Sequence, residues 1–250
     1  MARGLDGAIM ALTMDSVSQT PYGEEAEARR SPDSGHSQPR ERPTAAALPV
    51  RIIADYICPW CYIGLARAER AARELPLVLE PWPYQLMPHL PPGGLPREMV
   101  LGRRYPKQHY ERLREQAENE GIPFRVPERL YNTRLAHQAT LFAASRGRGQ
   151  ELHRAIYQAY WERGEDIGDI DVLCRLAEGC GLDPSALAQA LEEGTYRQEM
   201  ERREAWARGQ AIAGVPTFIF GEGLFALVGA QEYGVFVDVA RRLLERSRGG

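Results

Sequence analysis

The feature that most constrains this chain is the junction "DYICPWCYIG" at residues 55–64, where two cysteines, Cys58 and Cys61, bracket Pro59 and Trp60. The run before it, "VRIIADYI" at residues 50–57, opens with alternation and ends mostly apolar, which predicts a buried β-strand. After it, Pro59 suits the first turn of a helix, where a missing N–H removes no bond. Leu65, Ala68, Ala72 and Leu75 follow at helical spacing, and Pro76 ends the helix. Cys58 is therefore expected to leave a strand and open a helix.

That placement has a chemistry. Helix N-termini carry partial positive charge and unpaired N–H groups, and both favour a thiolate. A second cysteine one turn later lies on the same side, within reach of the first sulfur. One thiol can attack a disulfide, and the other can resolve the mixed disulfide that forms. Two further readings compete on the residues alone: half of a zinc site, and two inert core cysteines. Zinc needs two more ligands, yet Cys174 and Cys180 are six residues apart, about 240° around a helix. His89, His109, His137 and His153 form no i,i+4 pair. Cys174 and Cys180 themselves read as small apolar residues at a helix and its glycine-flanked end.

With 250 residues, the chain can bury a real core in one large domain or two small ones. Its formal net charge of −3 gives no electrostatic basis for nucleic acid or an anionic membrane as partner. No apolar run approaches the roughly 18 residues needed to span a bilayer. Residues 15–47 are rich in Ser, Pro, Glu and Arg and bury too little apolar area to offset ordering, so residues 1–47 are expected to form a disordered tail. Within that tail, "GAIMALTM" sits between Asp6 and Asp15 with few preceding cations, which argues against a secretory signal. The expected compartment is the cytoplasm. There a Cys-x-x-Cys pair is more often catalytic or metal-binding than a structural disulfide.

Order is expected from residue 48. "LVLEPWPY" at 77–84 reads as a second strand, with Pro81 and Pro83 confining its far end to a sheet edge or exit loop. Residues 95–210 are helical almost throughout, with helices predicted near 106–119, 133–145, 151–163, 171–178, 184–192 and 197–208. Start signals come from Asn132 or Thr133, from Asp169 or Ile170, and from Asp183 ahead of Pro184. Strand patterning then returns as a hairpin, 215–220 and 224–229 about a Gly-Glu-Gly turn, followed by a closing helix over 231–246.

The second strong signal lies in that hairpin. In "AGVPTFIF", residues 213–220, Pro216 follows Val215 at the head of a β-rich run and is a candidate cis-proline. In the thioredoxin fold such a loop faces the redox cysteines, and the neighbouring backbone can pair with an extended substrate. Pro59, Trp60 and Val215 are the expected substrate contacts.

Taken together, "DYICPWCYIGLARAER", "WPYQLMP", "YNTRLAHQATLFAA", "DIGDIDVL" and "AGVPTFIF…LVGAQ" resemble the DsbA-family oxidoreductases of the FrnE-like group, over about residues 50–242. The resemblance implies an α/β, thioredoxin-like fold with a large all-helical domain inserted between the second and third strands. The thioredoxin-like parts are then 48–94 and 211–250, and the insertion is 95–210. It implies Cys58 as nucleophile, Cys61 as resolving cysteine and Pro216 as the cis-proline. It also implies no tightly bound cofactor or metal, glutathione or another thiol as reductant, and a disulfide-bearing protein or small molecule as substrate. Neither nucleic acid nor membrane is expected as a partner, while homodimers are common among related proteins.

One departure bears on the direction of electron flow. The periplasmic oxidase DsbA has Pro-His between its cysteines, whereas Trp60 offers no charge to a thiolate. A less stabilised thiolate makes the disulfide less oxidising, so the potential is expected nearer thioredoxin than DsbA. Related glutathione-dependent isomerases and transferases, of the hydroxychromene-carboxylate isomerase and kappa types, typically lack the complete cysteine pair. Retention of both cysteines favours redox chemistry over that alternative. A third, non-enzymatic reading is a substrate-binding or chaperone-like module using the groove between domains, since a fold does not fix a function.

Overall fold

In the computed structural model, residues 47–102, 105, 107–210, 212–221, 223 and 225–249 are described. The expected N-terminal tail, apart from Ala47, lies outside the described residues.

β1 (Leu48–Ala54), α1 (Pro59–Glu74) and β2 (Leu77–Pro83) form a β–α–β unit whose strands pair in parallel, Leu48 opposite Leu77 through Ala54 opposite Pro83. β3 (Leu95–Pro96), α2 (Arg97–Leu101), α3 (Lys107–Asn119) and β4 (Arg129–Leu130) follow. Then come α4 (Arg134–Ala144), α5 (Gly149–Gln158) with a π-helical turn at Ala159–Arg163, α6 (Ile170–Gly179), α7 (Pro184–Glu192) and α8 (Arg197–Gly209). β5 (Thr217–Phe220), β6 (Phe225–Val228) and α9 (Tyr233–Gly249) close the chain. The main sheet has the order β2–β1–β5–β6, with β5 antiparallel to both β1 and β6. This is the thioredoxin-like α/β fold that was expected, with the helices α2–α8 between its second and third strands.

Alternation along the strands sorts the two faces of the sheet. Val50, Ile52, Phe218 and Phe220 belong to the main core. There the Phe236 ring of α9 meets Phe218 edge-on at 5.1 Å and Phe220 at 5.2 Å. Ile53 and Ile219 point the other way and pack with Ala207 of α8 in a second, smaller cluster. On that side the Arg51 guanidinium lies over the rings of Trp82 and Trp206, at 5.0 and 5.5 Å. Pro81 sits on β2, an edge strand, where its missing N–H interrupts no second ladder.

Two capped helices follow their sequence signals. Asp169 accepts from the amides of Asp171 and Val172, and Asp183 from those of Ser185 and Ala186. Asn132 rather than Thr133 supplies the side chain at the start of α4, its Oδ1 accepting from the Arg134 amide at 3.0 Å.

Several boundaries differ from expectation. β1 ends at Ala54, not at 57: Asp55, Tyr56 and Ile57 are buried because helices pack around the turn into α1, not because a ladder continues. β5 begins at Thr217, leaving Val215 and Pro216 in the preceding loop. The helix read over 151–163 is α5 plus the π-turn. The two-residue ladder of β3 with β4 and the short α2 have no counterpart in the sequence reading.

Candidate active site

Cys58 is the N-cap of α1, with an extended backbone (φ −87°, ψ 116°). Its amide donates to the Asp55 carbonyl at 3.1 Å, and its own carbonyl accepts from the Cys61 amide at 3.1 Å. Cys58 to Cys61 is thus the opening turn of the helix, with Pro59 at the first helical position and Trp60 half-buried beside it. The Cys58 thiol donates to the Val215 carbonyl at 3.8 Å, within reach of a weak S–H donor. The Val215–Pro216 peptide bond is cis. Both cysteines are free thiols; Cys61 is completely buried, while Cys58 keeps 6% of its surface exposed.

Close packing holds α1 against the proline loop. A Cβ built on Gly64 would stand 3.0 Å from the Pro216 Cγ and 3.1 Å from the Phe218 Cζ, tighter than side chains normally tolerate. Glycine at this helical position therefore lets the cysteine helix approach the loop. Of the six residues expected at the site, Cys58 meets Val215 through the thiol–carbonyl bond, Pro59, Trp60 and Cys61 follow it in the first turn of α1, and Pro216 lies against that helix at Gly64.

Behind them lies a buried polar layer that sequence reasoning missed. The backbone carbonyls of the β1–α1 turn lie in the core and need donors. Helix α5 and its π-turn supply them. The Tyr157 hydroxyl donates to the Asp55 carbonyl at 3.0 Å, and the Trp161 Nε1 donates to the Tyr56 carbonyl at 2.8 Å. The Tyr56 hydroxyl meets Thr140 and, at 2.8 Å, the Nδ1 of His153. Thr140 in turn donates to the Ala136 carbonyl at 3.0 Å. One proton arrangement serves all three bonds: His153 Nδ1–H donates to Tyr56, Tyr56 to Thr140, and Thr140 to Ala136. The His153 Nε2 is then a lone pair without a partner.

The Asp55 side chain is fully buried. Its Oδ2 accepts from the Leu86 amide at 2.7 Å, and its Oδ1 faces the His137 Nε2 at 3.5 Å. Neither Oδ1 nor that Nε2 has a hydrogen-bond partner. Burial pushes the Cys61 thiol well up; hydrogen bonding and charge from Cys58 and the charge of Asp55 add to this, while a backbone hydrogen bond from Asp55 opposes it. Burial, with the neighbouring His137, holds His153 down to about 3. The only local hint of this layer was the acid three residues ahead of Cys58; the histidines arrive from other helices.

Cys174 and Cys180 stand apart from the site. Cys174 on α6 donates to the Pro184 carbonyl at 3.3 Å, Cys180 ends α6, and both pack against the core. Among the described residues, no three His, Cys, Asp or Glu side chains are grouped to hold a metal ion. A cavity of about 1070 Å³ beside α2 and α3 is lined by Arg97, Tyr110, Arg114 and Phe124 among others, and by neither Cys58 nor Cys61. No described helix is long and apolar enough to cross a membrane.

Comparison with known proteins is consistent with this geometry. A family model described as the DSBA-like thioredoxin domain matches residues 50–240. The Bacillus subtilis (strain 168) protein YwbO is 31% identical over 180 residues, covering 69% of this chain and 86% of that protein. A structure described as a "probable DsbA oxidoreductase" of Streptomyces coelicolor superposes with a TM-score of 0.70 at 27% identity, covering 81% of this chain and 90% of that one. The cytosolic disulfide reductase DsbM of Pseudomonas aeruginosa, solved with GSH, superposes with a TM-score of 0.60 at 22% identity, covering 81% and 100%.

Proposed function

The chain belongs to the DsbA-like thioredoxin domain family, and on that premise we propose that it is a thiol–disulfide oxidoreductase working through Cys58 and Cys61. The observation that carries this reading is the Cys58 thiol at the N-cap of α1, against the Val215 carbonyl, with a second free thiol one turn inward.

In the proposed cycle the Cys58 thiolate attacks a disulfide of a protein or small molecule. The substrate S–S bond breaks, one substrate sulfur leaves as thiolate, and the other joins Cys58 in a mixed disulfide. Cys61 then attacks the Cys58 sulfur and releases the second substrate thiol. The substrate gains two electrons, and Cys58–Cys61 becomes the disulfide. Pro59, Trp60, Val215 and Pro216 form the contact surface for the substrate segment around its disulfide. The parts we assign to the thioredoxin-like domain are residues 48–94 and 211–250, with 95–210 as a helical insertion that walls the buried side of the cysteine pair.

We take glutathione, or a thiol like it, as the reductant that regenerates the pair, and the cytoplasm as the setting; both are supported by likeness to DsbM, a cytosolic reductase solved with GSH. The test is turnover of a disulfide-bridged peptide with glutathione, in the wild type and in Cys58→Ser and Cys61→Ser. Activity lost in both variants supports the pair. Saturable glutathione binding with no dithiol turnover would replace this reading with a glutathione-dependent isomerase or transferase.

A further inference from the structure

Two guanidiniums are buried among the described residues, Arg67 at 3% and Arg97 at 7% exposed, and their charges are compensated differently. Arg67 forks onto the Glu120 carboxylate and lies 3.7 Å from that of Glu232. None of the ion pairs among the described residues includes Arg97. Its bonds end on neutral acceptors. Nε donates to the Pro127 carbonyl at 2.6 Å, Nη1 to the Tyr110 hydroxyl at 3.2 Å and Nη2 to the Tyr160 hydroxyl at 2.9 Å. The guanidinium carbon also lies 5.1 Å from the Tyr110 ring centre and 5.5 Å from that of Trp161. Ring faces attract a cation without neutralising it, and a buried charge left without a counter-charge is costly.

Arg97 lines the cavity of about 1070 Å³ beside α2 and α3. A guanidinium has five N–H groups, and the three bonds above leave one each on Nη1 and Nη2, the donor pair that a carboxylate accepts. Tyr110, buried in the same wall, adds another donor. Its hydroxyl receives the Arg97 bond and gives none to a described residue, whereas Tyr160 spends its proton on the Arg129 carbonyl at 3.0 Å. Beyond this polar end the lining turns apolar, with Leu101, Phe124 and Val126. Phe124 is held in place by stacking on Trp161 at 5.0 Å. An apolar cavity with a few convergent polar groups is the usual form of a small-molecule site.

The other charges of the lining limit what the cavity takes. Arg114 and Arg125 are exposed, and Arg114 is engaged with Glu118 at 3.5 Å. Glu98, Glu118 and Glu128 bring exposed carboxylates to the same cavity. These repel a second negative charge, so a phosphate or a dicarboxylate fits worse than a single carboxylate on an apolar body.

We propose that this cavity binds a small organic monocarboxylate, with the carboxylate on Arg97 and the Tyr110 hydroxyl and the apolar body against Leu101, Phe124 and Val126. Neither Cys58 nor Cys61 lines the cavity, so the site is separate from the exchanging pair. The inference stands whether or not that pair exchanges disulfides.

The test is isothermal titration calorimetry on the full chain near pH 7, with 3-phenylpropionate as probe, 3-phenylpropanamide as its uncharged match, and inorganic phosphate. The acid is expected to bind at one site per chain, the amide at least about tenfold more weakly, and phosphate more weakly still. Tyr110→Phe keeps the ring beside Arg97 and should weaken binding of the acid about tenfold; Arg97→Gln should weaken it about 100-fold. Cys58→Ser should leave it unchanged. Acid and amide binding equally well, or neither binding at about 10 mM, overturns the proposal. So does phosphate binding as tightly as the acid, or Tyr110→Phe matching the wild type. Loss of binding in Cys58→Ser would place the acid at the exchange site and overturn it too. Should Arg97→Gln fail to fold, the amide comparison and Tyr110→Phe decide alone.

Discussion

The Cys58 thiol donates to the carbonyl oxygen of Val215 across 3.8 Å, so the cysteine at the mouth of α1 is matched to the backbone just ahead of Pro216. A substrate sulfur bound to Cys58 would occupy the side of that loop. Cys61, by contrast, is sealed beneath it.

This difference predicts an order of modification. Iodoacetamide should label Cys58 well before Cys61 in the reduced protein, because reactivity follows exposure and thiolate character, and burial pushes the Cys61 thiol up. Peptide mass spectrometry at short times should find Cys58 modified alone. Equal labelling, or Cys61 first, would contradict the assigned roles.

Gly64 tests the packing that brings helix and loop together. In Gly64→Ala the new methyl meets Pro216 and Phe218 at about 3 Å, so the loop must shift or the helix must back away. The expected cost is about 1–3 kcal/mol of stability. Disulfide-exchange rate should also fall, since Val215 moves with the loop. Urea denaturation and single-turnover kinetics read the two effects separately.

His153 should make the protein acid-sensitive in a defined window. Its folded value lies near 3, against 6.5 for the free side chain, so between these values the unfolded chain binds the extra proton. The stabilisation is complete above about pH 6.5 and is lost progressively as pH falls toward 3. The full shift corresponds to roughly 4–5 kcal/mol. His153→Gln should flatten the decline in urea midpoint between about pH 6.5 and 4.5, above the range where most carboxylates titrate.

Arg67 braces the far side of the cysteine helix. It is buried, forks onto Glu120, and donates to the carbonyls of Ala230 and Gln231 at 2.6 and 2.8 Å. Arg67→Ala strands all of these acceptors and should cost about 3–5 kcal/mol. Arg154→Ala removes a half-exposed partner of Glu69 and should cost under about 1 kcal/mol. Similar losses for the two variants would show that the brace carries no special weight.

Local signals were the legible ones. A Cys-Pro-Trp-Cys run at a strand end, with proline at the first helical position, states its own geometry within ten residues. The caps at Asp169 and Asp183 are equally local. The end of β1 was misread because Tyr56 and Ile57 are apolar enough to continue a strand; the partners of Tyr56 lie on helices α4 and α5 and the π-turn, which no local pattern announces. The same holds for the polar layer. His137 and His153 lie on amphipathic helices where a histidine ordinarily signals nothing, and only the fold brings them to Asp55 and Tyr56. The β3–β4 ladder pairs two residues with two, too short for any alternation to register.

The central claim is tested most directly by redox titration of the whole chain. The protein is equilibrated across a series of glutathione ratios, free thiols are trapped by alkylation, and Cys58 and Cys61 are read separately by mass spectrometry. The predicted result is one reversible two-electron transition in which both cysteines change together, with a midpoint nearer the roughly −270 mV of thioredoxin than the roughly −120 mV of DsbA. Cys58 halting as a stable glutathione adduct while Cys61 stays a free thiol would contradict it.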